Sequence, residues 1–384
     1  MKQYKIVLVT ALYSPFQIDL AKEMNRLDLD CHVIFTMNLD NQIGENSRGA
    51  HWQTTDDYST KVSHIYDWKN VAGLASDLEN ELLRLKPDIL LATGILSSPI
   101  FAALKKLKRK GVIQCPLGFW LESANITTGR LKSILIEEVA RHQLREMDFA
   151  FAIGSNALSY YSSLAPGLPM FDVPYGQDLA GFYNISRDTD TKCVRFLLSG
   201  QLLRRNNIQN IIKALYTLKI KRPRRWQLVV SGSGPEEALL ASAAEDMGDK
   251  DWQPIVFYRQ FESWGDRESS YKSCDVLLCP SLHTGWGLVV PEAVAAGMPV
   301  IATEFVNSAR RFVVPGFNGL VIRPNAQSIS DAMQFFIDNC NKISEMGDRG
   351  RVLSETGEAS FVARLFEQNV KSILTAFSPK STER

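Results

Sequence analysis

The stretch HTGWGLVVPEAVAAG, residues 283–297, carries the residues best suited to chemistry. Glu292 is a lone carboxylate among alanines and valines, and Gly285 and Gly287 bracket Trp286. Glycines there let the backbone approach a ligand with no Cβ in the way. A helix predicted to begin near Leu288, with Pro291 in its first turn, would aim N–H groups and about half a positive charge at that turn. Such an end accommodates a phosphate. Glu292, one turn in, would accept hydrogen bonds from sugar hydroxyls, each charge-assisted bond contributing about 1.5–3 kcal/mol. A plainer arrangement fits the same residues: a tight strand-to-helix turn in which Glu292 caps exposed N–H groups. The spacing alone leaves both open.

The surrounding elements must put this turn somewhere useful. Short apolar runs alternate with helical patterns throughout. The runs 5–10, 31–35, 88–93, 112–117 and 149–153 predict buried strands, and 71–86 and 130–147 predict helices between them. In the second helix Leu131, Ile134, Leu135, Val139 and Leu144 form an apolar stripe at helical spacing. The pattern lapses over 175–192, a polar tract expected to be a linker, and then restarts with strands at 194–200, 226–232, 254–258, 275–280, 299–303 and 319–323. Buried strands separated by helices imply parallel sheets. The expected architecture is α/β, two Rossmann-like domains facing each other across a deep cleft. The boundaries are 1–178, a linker over 179–192, 193–358, and a last helical segment over 359–384 that crosses back to the first domain. In such sheets ligands bind beyond the carboxyl ends of the strands. Three glycine-bearing loops fall there in the second domain: LLSGQLLRRNN, VVSGSGP and LLCPSLHTGWG.

The bulk numbers narrow the class. The chain has 384 residues, enough for two cores, and its net charge of +1 argues against a dedicated nucleic-acid binder. Six scattered cysteines form no C-x-x-C pair and read as small core residues of a reducing compartment. The opening apolar run is short and ends at Pro15 without a cleavage site, so a first strand explains it better than a signal peptide. No stretch has the length of apolar residues that a membrane span needs. The first βα turn, VTALYSPFQ, lacks the G-x-G-x-x-G of a dinucleotide enzyme.

The segment PSLHTGWGLVVPEAVAAGMPVIAT closely resembles the nucleotide-binding stretch of retaining, GT-B-fold family 4 glycosyltransferases. The resemblance extends in order and spacing through LLSGQLLRRNNIQNIIKAL, LVVSGSGPEEALL, YKSCDVLLCPS and VNSARRFVVPGFNGLVI, covering nearly all of 194–335. It is looser in the first domain, through PDILLATG, LESAN, FAIGSNALSYY and VPYGQD. The resemblance implies that Glu292 binds the ribose hydroxyls of a nucleotide-sugar donor. Gly285, Trp286, Gly287 and Leu288 would then face its distal phosphate and sugar, with Gly234 on the neighbouring loop. Position 284, acidic in the family and a sugar contact there, is Thr284 here. The basic pair that the family offers to the diphosphate falls on Gln201 and Asn206. Losing one such contact costs about 3 kcal/mol in barrier. Arg205 or Arg259 is the expected substitute.

In the first domain, Ser14, Phe16 and Gln17 lie in a loop entering a helix, and Glu122 follows a strand. Glu122 is expected to bind the acceptor hydroxyl or support developing charge on the sugar. Of His32, His51, His64 and His142, none matches the family's catalytic-site histidine. The basic tract 101–111 reads as a solvated helix end or as a face for an anionic membrane. Its neighbour 218–226 has the same two readings.

Together these residues predict a metal-independent, retaining glycosyltransferase of hexosyl type, cytoplasmic or peripheral at the inner membrane face. It would move a sugar from a nucleotide diphosphate donor to a glycan or lipid-linked acceptor in cell-surface glycoconjugate synthesis. No cofactor, metal or nucleic-acid partner is expected, the donor being a substrate. The alternatives are a degenerate relative that binds nucleotide or glycan without transfer, which Asn206 and Thr284 motivate, and a nucleotide-sugar epimerase of the same fold.

Overall fold

The computed structural model describes residues 3–11, 13–37, 61–65, 70–94, 98–122, 130–186, 193–221, 226–258 and 266–377, without the side chains of 130–133 and 221. It divides into two units, Met1–Asp178 with Glu358–Arg384, and Leu179–Gly357.

The first unit runs β1 (Tyr4–Thr10), α1 (Pro15–Asn25), β2 (Leu29–Phe35), β3 (Val62–His64), α2 (Val71–Leu85), β4 (Ile89–Thr93), α3 (Pro99–Arg109), β5 (Leu117–Leu121), α4 (Arg130–Leu144), β6 (Phe149–Ala152), α5 (Ser155–Leu164) and β7 (Met170–Asp172). Among the described residues its strands pair in the order β3-β2-β1-β4-β5-β6-β7, and every pairing is parallel. Helix starts follow local chemistry. The Asn70 side chain accepts from the amides of Ala72 and Gly73, and Ser98 accepts from Phe101 ahead of the N-terminal Pro99. Val7, Val9, Leu90, Ala92 and Phe119 form the sheet side of the core against Leu74, Leu78, Leu104 and Leu107.

One expectation needs correction. The strand predicted at 112–117 instead occupies Leu117–Leu121. Pro116 has no N–H to give a ladder, whereas Phe119, Trp120 and Leu121 are fully enclosed. The apolar stripe of α4 is split, Leu144 being buried while its other described side chains are exposed. Ile134, Leu135 and Val139 are 49%, 67% and 47% exposed, while Ala140, Leu144 and Met147 are buried. The basic tract on α3 is largely paired with acid: Lys105 and Arg109 with Glu146, Lys108 with Asp148, and Lys110 with Glu79.

The second unit runs α6 (Ala180–Tyr183), β8 (Val194–Ser199), α7 (Ile208–Lys221), β9 (Trp226–Ser231), α8 (Glu237–Met247), β10 (Ile255–Phe257), α9 (Ser269–Lys272), β11 (Val276–Cys279), α10 (Val289–Ala295), β12 (Val300–Thr303), α11 (Ala309–Phe312), β13 (Gly319–Ile322), α12 (Ala326–Asp338) and α13 (Asn341–Ser354). Its described strands pair in parallel in the order β10-β9-β8-β11-β12-β13. Chain order reverses between β8 and β11, which opens a crevice at their carboxyl ends. The described part of 175–192 is packed: Tyr175 and Gln177 are buried in the first unit, and Leu179, Phe182 and Ile185 in the second. The final helix, α14 (Ala359–Phe377), belongs to the first unit, where Phe366 sits edge-on to Trp120 and Phe151 at 5.1 and 5.0 Å. No helix among the described residues is long and apolar enough to cross a membrane.

Candidate functional site

The second unit gathers most of the predicted site at the carboxyl ends of β8, β9 and β11. The loops are fastened to one another through backbone. Leu202 N donates to Ser233 O (2.8 Å), Glu236 N to Leu202 O (3.0 Å) and Leu282 N to Arg205 O (2.7 Å). A Cβ at Gly234 would lie 2.6 Å from the Leu202 carbonyl oxygen, so this glycine lets two loops touch. Its predicted ligand contact thus has a packing reason beside it. Gln201 is half-buried, Arg205 is exposed on a 3-10 turn over Arg204–Asn206, and Arg259 lies outside the described residues. Asn206 points Nδ2 toward Ser281 Oγ at 3.5 Å, and its Oδ1 is buried with no hydrogen-bond partner.

The loop 284–288 is strapped from behind by the segment after β12. Asn307 Nδ2 donates to the carbonyls of Thr284 (2.8 Å) and Gly285 (2.9 Å). Ser308 N donates to Trp286 O at 3.0 Å, and Ser308 Oγ to Gly287 O at 2.7 Å. Thr284 Oγ1 donates to Trp286 O and accepts from the Asn307 amide at 3.3 Å. The hydroxyl expected at the sugar is therefore engaged in its own loop. Gly287 has φ of 100°, and a Cβ there would come within 3.0 Å of Ser308 Oγ. Trp286 is buried edge-on to Phe312 at 6.1 Å.

Glu292 falls in the first turn of α10, as expected, and is only 5% exposed. Tyr271 Oη donates to Oε2 at 2.5 Å, and Arg267 Nε lies 3.4 Å from Oε1. Burial pushes the carboxyl up from its ordinary value, while Arg267 and the Tyr271 hydroxyl pull it back. Tyr271, fully buried and raised by burial and by Glu292, also hydrogen-bonds Ser199 at the end of β8. Arg267, Tyr271, Asn307 and Ser308 were not among the predicted site residues. Their partners lie more than twenty residues away along the chain, or on a different loop. His283 was passed over as well. It is half-buried, and burial and Arg205 hold its pKa below the ordinary value.

In the first unit, Phe16 and Glu122 are joined through an unforeseen residue. Tyr175 Oη donates to Glu122 Oε1 at 2.9 Å, and its ring meets Phe16 at 4.6 Å. Ser14 precedes α1 without capping it by side chain, and Gln17 is buried with no partner for Oε1. Residues 123–129, after Glu122, lie outside the described residues.

Two parallel sheets of this order, with a carboxylate and a strapped glycine loop at the crevice of the second, define a GT-B fold. Solved structures show the same fold: sucrose-phosphate synthase from Thermosynechococcus elongatus has a TM-score of 0.76 at 15% identity, covering 97% of this chain and 100% of that one. Anabaena HepE in complex with UDP gives 0.72 at 15%, covering 96% and 100%. Residues 186–352 match the family described as glycosyl transferases group 1. A D-inositol 3-phosphate glycosyltransferase of Paenarthrobacter aurescens (strain TC1) is 30% identical over 158 residues, 39% of this chain and 37% of that protein. Matches to the first curated relatives span between 36% and 43% of their length.

Proposed function

We propose that this protein is a glycosyltransferase that takes a sugar from a nucleoside diphosphate donor and passes it to a glycan or lipid-linked acceptor. The observation that supports it best is Glu292. A carboxylate this enclosed is costly, and it stands at the crevice where an open parallel sheet binds ligands. Two ribose hydroxyls donating to it would satisfy lone pairs that Tyr271 and Arg267 leave over. The strapped loop supports the phosphate half of the reading. Asn307, Ser308 and Thr284 engage the carbonyls of 284–287, drawing away the peptide ends that would repel an anion. Arg205 and His283 sit at the same edge. In the first unit, Glu122 and Phe16, linked by Tyr175, are assigned to the acceptor. The chemistry proposed is same-face attack with the leaving diphosphate as base, retaining configuration, in cell-surface glycan synthesis.

Asn206 favours one rival, a protein that binds donor without transferring. It supplies no cation where the resemblance places one, and Thr284 is occupied within its loop. Transfer and hydrolysis assays over several nucleotide sugars separate the two: binding without turnover for any donor, with acceptors present, rejects the transferase. Donor binding itself is read by thermal shift with UDP, GDP, ADP and TDP. A nucleotide at a hundredfold over its dissociation constant stabilises by about 2.7 kcal/mol. Glu292→Ala is expected to abolish that shift, and to destabilise the protein by about 3–5 kcal/mol by breaking a buried ion pair. A shift that survives intact removes Glu292 from the donor site.

A further inference from the structure

We propose that Arg267 is a positioning residue for the donor: together with Tyr271 it holds the two oxygens of the Glu292 carboxylate in place for the ribose hydroxyls. The proposal rests on the reading of Glu292 as the ribose ligand. Its basis is the geometry around one enclosed carboxylate. Arg267 comes just before α9 and is 11% exposed in its side chain. Its guanidinium lies over the Phe182 ring of α6 at 5.2 Å, and Nε is 3.4 Å from Glu292 Oε1. Tyr271, in α9, is packed edge-on against the same Phe182 ring at 5.0 Å and holds the other oxygen, Oε2, at 2.5 Å. One aromatic ring thus seats both partners, and each carboxylate oxygen faces one of them.

The chemistry explains why a cation is needed there. A protonated carboxyl gives up acceptor capacity and gains a donor that a ribose hydroxyl does not require. Burial favours that neutral form, and Glu268 favours it too; Arg267 and the Tyr271 hydroxyl oppose it. The Glu268 carboxylate faces α6, where a Cβ at Gly181 would meet it at 2.7 Å. The guanidinium, lying over the ring, holds its charge 3.4 Å from the carboxylate as an ion pair without hydrogen-bond geometry at Nε, and a lysine ammonium lacks the flat face that rests on the ring. A buried ion pair is a weak source of stability, so its retention here points to a task other than holding the fold.

The sign of the pH effect separates this task from a structural one. Removing the guanidinium raises the Glu292 pKa, so donor binding fails first at low pH and returns as pH rises. Dissociation constants for UDP, GDP and ADP are to be measured by calorimetry for the wild type, Arg267→Gln and Arg267→Lys. Arg267→Gln is expected to weaken binding by a factor that is larger near pH 6 than near pH 8.5, with Arg267→Lys between it and the wild type. An equal loss at every pH, or no loss, overturns the proposal. A second measurement needs no nucleotide. In a carbon-13 titration of the Glu292 carboxyl, Arg267→Gln must move the midpoint upward, and an unmoved midpoint overturns the clamp. If not even the wild type binds a nucleotide, the donor reading falls, and the titration alone decides whether Arg267 controls the carboxylate.

Discussion

Asn207 shows how one side chain can hold a site together without touching a ligand. Its backbone is left-handed, at φ 66° and ψ 31°. Its Nδ2 donates to the carbonyls of Pro280 and Pro324, both at 3.1 Å, and its Oδ1 accepts from Asn210 at 2.8 Å. The ends of β8, β11 and β13 therefore share one amide. Asn207→Ala strands two carbonyls and removes the short polar side chain that lets asparagine tolerate positive φ, for an expected loss of about 2–4 kcal/mol in thermal or urea unfolding. Asn207→Gly keeps the backbone at ease and is expected to fall between the two. Equal losses for Ala and Gly would mean the backbone conformation contributes nothing. At this scale the sequence was half legible. Glu292, Gly287 and the departure at Asn206 stood out because their types are unusual in a turn between a strand and a small-residue helix. Asn207, Tyr271, Arg267 and Tyr175 did not, because their meaning comes from partners that only the sheet order brings near.

Strands were the most legible elements, since a fully enclosed parallel strand writes itself as an unbroken apolar run. The misplaced β5 shows the limit: VIQCPL is as apolar as its neighbour, and Pro116 was the signal against it. In α4, helical periodicity gave the helix but not the face that turns inward. The edge of the first sheet carries a polar relay that no pattern announced. His32 Nε2 is 2.8 Å from Ser63 Oγ, Ser63 donates to Glu81 at 3.0 Å, and Arg84 donates to Glu81 at 2.6 Å. Burial, then Arg84, holds the His32 pKa below its ordinary 6.5. The unfolded chain therefore takes up a proton near that value that the folded edge refuses. The stability tied to His32 is full above about 6.5 and is lost as pH falls. Melting temperature is expected to drop between about pH 7 and pH 5, less steeply in His32→Gln. An unchanged slope in the variant removes His32 from the acid response.

At the scale of the whole molecule, each unit has its own core, and α14 belongs to the first unit although it follows the second in the chain. Phe366 meets Trp120 and Phe151 nearly perpendicularly, and Val362 packs where a Cβ at Gly176 would come within 2.8 Å. A chain stopped at residue 357 loses these contacts, and deleting one buried Phe alone costs about 3–5 kcal/mol. Such a chain is expected to expose Trp120, read as a red-shifted tryptophan emission and protease cleavage within 3–178. The second unit should keep its nucleotide-induced thermal shift. Loss of that shift with an intact first unit would contradict the assignment of α14. The placement of this helix also sets an order for synthesis. The ribosome makes the strands of the first unit before the second unit, yet the aromatic ring that closes over Trp120 emerges only after it. The first-born half of the protein must wait, incomplete, for the second to be translated.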